Sequence, residues 1–141
     1  MQAVQELFPG CCIHFEDWKG TDAIRMLDRY KDKVLCYNDD IQGTASVALA
    51  GLTTALQIVD APLTEQRILF LGAGSAGIGI AGLIVSAMQM QGLSTQDAQR
   101  CISMFDINGL LEPSRTDLSE AQKVYAHQSA PSRALVQTMS G

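Results

Sequence analysis

Nothing basic clusters anywhere in these 141 residues. Ten Lys and Arg stand against fifteen Asp and Glu, a formal net charge of −5. A nucleic acid or an anionic membrane surface would find no cationic patch to hold, and neither is an expected partner. The four cysteines, Cys11, Cys12, Cys36 and Cys101, include no C-x-x-C pair. Reduced thiols are expected, in the cytosol or in another reducing compartment such as the mitochondrion. No secretory leader is expected, and the sequence shows no internal repeat and no low-complexity segment. Charge is missing from Ile41 to Val59 and from Ile68 to Met88, yet neither stretch reads as a membrane span. The first carries Gln42, Thr44, Ser46, Thr53, Thr54 and Gln57. The second carries Gly72, Gly74, Gly77, Gly79 and Gly82. Both fit elements buried in an α/β core.

What is present suits one domain's worth of globular protein: 47% hydrophobic and 18% charged residues. The most informative stretch is Arg67 to Met90. The apolar run Ile68-Leu69-Phe70-Leu71 predicts a strand. Gly72-Ala73-Gly74-Ser75-Ala76-Gly77 then spells G-x-G-x-x-G, and an apolar segment long enough for a helix follows. Strand, glycine turn and helix in that order predict a dinucleotide-binding turn. One glycine makes the bend, a second lets a pyrophosphate approach the backbone, and a third lets helix and strand pack closely. The N–H groups at the helix start face the phosphates, aided by the helix dipole.

Upstream, Met1 to Leu7 reads as the last turns of a helix broken at Pro9-Gly10. Cys11 to Phe15 predicts a short buried strand ending in Glu16-Asp17. Thr21 to Tyr30 predicts a helix with Ala23, Ile24, Leu27 and Tyr30 on one face and Thr21 as its cap. Val34 to Tyr37 predicts a second strand, ending in Asn38-Asp39-Asp40. About 24 residues separate Glu16 from Asp40, the length of one strand–helix–strand crossover. In a parallel sheet that crossover sets the second strand end beside the first. Glu16, Asp17 and Asp40 are therefore candidates to converge and share a hard divalent cation, Mg²⁺ or Mn²⁺. Loop acids and helix caps are the competing explanation for the same residues.

A long helix rich in small residues is expected from Gln42-Gly43-Thr44 to Val59, packing tightly on both sides and ended by Ala61-Pro62. Gly92 stops the helix that follows the glycine turn. Ser94 to Arg100 predicts a short helix capped by Ser94 or Thr95. Cys101 to Phe105 predicts a strand ending in Asp106. An acid at this strand end accepts hydrogen bonds from the adenosine ribose, and its charge would favour NAD over NADP. No Lys or Arg follows closely before Arg115. The offset of 34 residues from Gly72 exceeds the usual spacing of about 20, and the Ser94–Arg100 insertion accounts for the excess. Asn108-Gly109 predicts a turn and Ser119 to His127 one more helix, while Gln128 to Gly141 shows little pattern. The expected fold is α/β: a Rossmann-type parallel sheet with flanking helices, incomplete at both ends.

Three strings together carry a family resemblance. Phe15-Glu16-Asp17, Asn38-Asp39-Asp40-Ile41-Gln42-Gly43-Thr44 and Phe70-Leu71-Gly72-Ala73-Gly74-Ser75-Ala76-Gly77 resemble malic enzymes, most closely the NAD-dependent forms. Asp106, Gly109-Leu110-Leu111, Arg115 and Asp117-Leu118 follow in family order. NDDIQGT is a highly specific string, whereas GAG alone is not. The resemblance implies oxidative decarboxylation of malate to pyruvate and CO₂ with reduction of NAD, dependent on Mg²⁺ or Mn²⁺, by a longer homo-oligomeric protein.

Carried over by motif, the resemblance implies that Glu16, Asp17 and Asp40 are metal ligands and that Asp40 also lies against the cofactor. It implies that Gly72, Ala73, Gly74, Ser75, Ala76, Gly77, Ile78 and Gly79 form the dinucleotide loop, joined by Asp106. The family's domain boundary falls near Asp39–Asp40. It implies that residues 1–39 close a substrate and metal domain and residues 40–141 open the NAD-binding domain. Tyr37 and Trp18 stand where Phe is usual. The family's catalytic tyrosine acid and lysine base lie upstream of FED, and Tyr30, Tyr37 and Lys19 do not replace them. The asparagines that grip malate lie downstream of Gly141. The 141 residues are thus expected to be a piece of an enzyme, inactive alone. The rival reading is a stand-alone NAD-binding module or pseudoenzyme.

Overall fold

The computed structural model describes residues 1–127; Gln128–Gly141 lie outside the described residues. Helix α1 (Gln2–Leu7) leads through a turn to strand β1 (Ile13–Phe15), helix α2 (Gly20–Tyr30) and strand β2 (Cys36–Asn38). A π-helical turn, Asp39–Gly43, runs directly into helix α3 (Thr44–Ile58). After a 3₁₀ turn at Leu63–Glu65 come β3 (Ile68–Leu71), α4 (Ser75–Met90), α5 (Thr95–Arg100), β4 (Ile102–Asp106), β5 (Gly109–Leu110) and α6 (Glu120–Lys123).

Among the described residues the strands form two separate sheets. β1 and β2 pair in parallel, with Ile13 opposite Cys36 and Phe15 opposite Asn38. β3 and β4 pair in parallel, from Ile68 opposite Ile102 to Leu71 opposite Phe105. Both parallel pairs are joined through helices, as parallel geometry requires. β5 adds an antiparallel edge to β4, Asp106 opposite Gly109, where only a turn at Asn108-Gly109 is expected from sequence.

The main core lies between the β3–β4 sheet and α4. Ala81, Met88, Ala98, Ile102 and Met104 are completely buried, and Leu63, Ile84, Val85, Leu111, Leu118 and Tyr125 close the cluster. Complete burial of a Met or Ile contributes about 2 kcal/mol, so these few side chains dominate the local stability. A smaller cluster, Ala23, Leu27 and Ile41 with Ile24 against it, seals α2 to the π-helical turn. Helix α3 sends Leu49, Leu52 and Leu56 toward the main core. Its other side leaves Val47, Ile58 and the following Val59 exposed, so the tight packing expected on both sides holds on one only.

Several boundaries differ from the sequence expectation for identifiable reasons. β1 begins at Ile13 rather than Cys11, because the Cys11 N–H closes a turn onto the Phe8 carbonyl at 3.2 Å. β2 begins at Cys36 rather than Val34. The Lys33 and Val34 N–H groups donate back to the Tyr30 carbonyl and prolong the helix end as turn. Helix α2 begins at Gly20 with Lys19 at its cap position, so Thr21 lies inside the first turn. Of the two candidate caps for α5, Ser94 is used, accepting from the Asp97 N–H. The helix expected over Ser119–His127 is one turn only, Glu120–Lys123. No helix among the described residues is long and apolar enough to cross a membrane.

Candidate functional site

Two parallel strand ends assemble the acids. β1 stops at Phe15, and the register with Asn38 brings Asp39 and Asp40 out beside Glu16 and Asp17. Asp17 sits at φ +56°, a left-handed conformation that Asp tolerates better than most residues. Asn38 is buried and works as a cap. Its Oδ1 accepts from the Ile41 N–H at 3.0 Å, and its own N–H donates to Gln42 Oε1 at 3.1 Å. The chain is thereby wound into a π-helical turn, a feature common at functional sites, instead of entering α3 at Gln42.

One carboxylate oxygen each from Glu16, Asp17 and Asp40 lies within 4.8 Å of the other two. At such a distance two unit charges repel by about 1 kcal/mol in water and several times more in protein surroundings. Among the described residues no Lys or Arg forms an ion pair with any of the three. Asp40 Oδ2 is buried and has no hydrogen-bond partner. A buried acceptor left unsatisfied costs about 1–3 kcal/mol, more when charged. An all-oxygen, anionic donor set with one orphaned buried oxygen fits a hard divalent cation. A second group, His14, Glu16 and Asp39, shares Glu16 with the first.

The glycine turn begins where the β3–β4 ladder ends. The Gly72 N–H donates to the Phe105 carbonyl at 2.8 Å, and the chain then turns at φ +131°, a value that favours glycine. Gly77 is the tightest point: a Cβ there would come 2.5 Å from the Gly72 carbonyl oxygen. At Gly74 a Cβ would meet nothing within 4 Å, so the loop's open side faces free space. Gly74 also caps α4, leaving the N–H groups of Ser75 and Ala76 at the helix start. Ile78 and Gly79 lie farther along α4. Gly79 packs against Ile41, where a Cβ would lie 2.8 Å from the Ile41 carbonyl oxygen. That contact seats the π-helical turn bearing Asp40 on the helix of the glycine turn. Ala73, although in the loop, is buried, and its carbonyl accepts from Gln122 Nε2 at 3.1 Å.

Asp106 ends β4 beside the turn, but not as a free acid. Arg115 grips it with two bonds, Nη1 to Oδ1 at 2.9 Å and Nη2 to Oδ2 at 2.8 Å. Arg115 also holds Asp117, at 3.0 and 2.6 Å. The guanidinium hydrogen bonds keep the Asp106 carboxyl below its ordinary range and pull that of Asp117 down to about 2. No cation follows Asp106 closely in sequence, yet the β4–β5 hairpin folds Arg115 back onto it. Repulsion of a 2′-phosphate is weakened accordingly, although two carboxylates to one guanidinium still leave this corner negative.

His14, Arg115 and Gln122 are not among the site residues expected from sequence. His14 was findable from strand parity, since a strand leading up to Glu16 turns residues two apart to the same side. Gln122 was findable as the far half of a Ser119-x-x-Gln122 capping box, which forms. Arg115 carried no local signal, because the hairpin makes its contact.

A family model described as malic enzyme, NAD binding domain, matches residues 41–140. The chain is 48% identical over 118 residues to the NADP-dependent malic enzyme of Mus musculus, covering 84% of this chain and 21% of that protein. It is 50% identical over 111 residues to the NAD-dependent malic enzyme of Schizosaccharomyces pombe, covering 79% of this chain and 20% of that protein. Among solved structures it resembles the Entamoeba histolytica malic enzyme at a TM-score of 0.74 and 33% identity, covering 93% of this chain and 26% of that one. The chain spans about a fifth of the length of the curated relatives it matches.

Proposed function

The chain belongs to the malic enzyme family, and from that premise we propose that it carries the metal-holding acids and the dinucleotide-phosphate turn of an NAD-dependent, malate-decarboxylating enzyme. In this reading residues 1–39 close the substrate and metal domain and residues 40–141 open the NAD-binding domain. The observation that carries it is the orphaned, buried Asp40 Oδ2 beside Glu16 and Asp17. Glu16, Asp17 and Asp40 are the residues that would hold Mg²⁺ or Mn²⁺. Such an ion would supply Lewis acidity toward the malate hydroxyl and the carbonyl oxygen derived from it.

The remaining roles belong to the chain's own groups. Gly74 gives a pyrophosphate room to reach the backbone, and the Ser75 and Ala76 N–H groups donate to it at the α4 N-terminus. Ala73, Gly77, Ile78 and Gly79 keep that turn and helix in place, and Gly79 holds Asp40 near the cofactor through Ile41. Asp106 Oδ1 is occupied by the Asn108 N–H and Arg115, but Oδ2 accepts only from Arg115, so its spare lone pair accepts from a ribose hydroxyl. The net negative charge of Asp106, Arg115 and Asp117 favours NAD over NADP. The acid and base that move protons in the reaction are not supplied by these residues, so the chain alone does not turn over.

Mn²⁺ and NAD binding by the purified chain, with Asp40→Asn as control, tests this. Mn²⁺ binding that falls about 100-fold in the control, with no malate-dependent NADH formation by either protein, is expected. Undetectable Mn²⁺ binding by the unaltered chain would remove the metal assignment. Turnover by the chain would show that acid and base lie within it.

A further inference from the structure

His14 lies in β1 and Glu16 is the first residue beyond the strand's end, two positions on, which sets the His14 ring beside the Glu16 side chain. His14 Nε2 lies 2.9 Å from Glu16 Oε2. An ionised carboxylate has no proton to give, so the Nε2–H donates. The ring is itself held from the neighbouring strand. His14 stands opposite Tyr37 in the β1–β2 register, and the two rings stack with centroids 4.6 Å apart and planes 15° from parallel. Glu16 is half exposed, and without a partner it would sample many rotamers.

We propose that His14 is a positioning residue for the cation site: braced on Tyr37, it pins one Glu16 oxygen and so presets the carboxylate toward Asp17 and Asp40. The inference rests on the metal reading given under the proposed function. Its physical basis is general, since ligating carboxylates held by outer hydrogen bonds lose less freedom on binding. Asp39 makes a third group with His14 and Glu16 but is not needed for the brace.

Mn²⁺ titrations followed by the electron paramagnetic resonance signal of the free ion test the idea without any turnover. His14→Ala is expected to weaken Mn²⁺ binding about 10-fold, within the range typical of outer hydrogen-bond partners. His14→Gln, whose amide N–H reaches the same acceptor, is expected to restore most of it. Tyr37→Leu is expected to give a smaller loss, and His14→Ala is expected to add nothing on a Glu16→Gln background. Thermal unfolding, followed in parallel, is expected to stay unchanged, because the His14 side chain is 46% exposed.

Unaltered affinity in His14→Ala while Glu16→Gln weakens binding would overturn the positioning role and leave the metal assignment standing. Failure of His14→Gln to restore affinity would also overturn it, pointing to the imidazole as a direct ligand. Absence of Mn²⁺ binding by the unaltered chain, or indifference to Glu16→Gln, would instead sink the metal reading itself.

Discussion

The glycine turn and the acidic cluster sit on either side of one contact, Gly79 against Ile41, yet they are built by opposite means. The turn is made of backbone. Its key residues act by having no side chain, and all of them fall within Gly72–Gly79. The cluster is made of side-chain charge drawn from two strand ends about 24 residues apart. Steric faults should therefore break the turn by unfolding it. Charge changes should disable the cluster and leave the fold intact. Asp106 stands between the two, a strand-end acid whose charge is set by an arginine.

The largest effect is expected at Gly77. With the Gly72 carbonyl 2.5 Å from any Cβ, backbone would have to move against backbone, and Gly77→Val should destabilise by about 3 kcal/mol or more in urea unfolding. Gly74→Ala, with open space around its Cβ, should change stability by less than about 0.5 kcal/mol. On the proposed function it should nonetheless weaken NAD binding, because a methyl group would stand where a phosphate is proposed to approach. Equal losses of stability at the two glycines would erase the distinction drawn between packing and access. Asp40→Asn sharpens the contrast from the other side: it removes one of three mutually repelling charges and should not lower stability in metal-free buffer.

A middle-sized effect is expected at the Asp106–Arg115–Asp117 corner. Removing the guanidinium with Arg115→Leu should move Asp117 titration from about 2 back toward 3.8, as carbon-detected nuclear magnetic resonance would show. Both carboxyls are depressed in the folded state. The stability they add is therefore present above the unfolded value near 4 and lost as pH falls toward about 2. Arg115→Leu should thus be less stable than the parent at neutral pH, with the gap closing between about pH 4 and 2. A gap that widens on acidification would show that Arg115 acts by packing rather than by charge.

The smallest effect is expected at Gln122, which links the turn to α6. Gln122→Ala loses half of a capping box and the bond to the Ala73 carbonyl, and should cost about 1 kcal/mol. NAD binding should fall only a few-fold, since the bond braces the loop from behind. A loss as large as that from Gly74→Ala would mean that the turn is not set by its glycines alone.

The two regions also differed in how far they could be read beforehand. β3 occupies Ile68–Leu71 as expected and α4 ends at Met90 as expected, because strand, turn and helix there follow from contiguous residues. The approach of Glu16, Asp17 and Asp40 was legible only as a consequence of parallel pairing, and the spacing alone left loop acids and caps as rivals. The π-helical turn was missed because it depends on the buried Asn38 accepting from the Ile41 N–H while its own N–H donates to Gln42 Oε1. The grip of Arg115 on Asp106 was not legible, because it is made across a hairpin whose second strand is two residues long, too short to show any alternation.

By itself the sequence determined the elements whose cause is local: the glycine turn, the helix it opens, the strands with their acidic ends, and the strings that place the chain in its family. Tertiary structure alone decided which charges meet. It set Asp40 with a buried, unpartnered oxygen, braced Glu16 with His14 and neutralised much of Asp106 with Arg115. The reason is range. Backbone geometry is fixed by neighbours along the chain, whereas charge and hydrogen-bond balance depend on groups that only folding brings within a few ångströms.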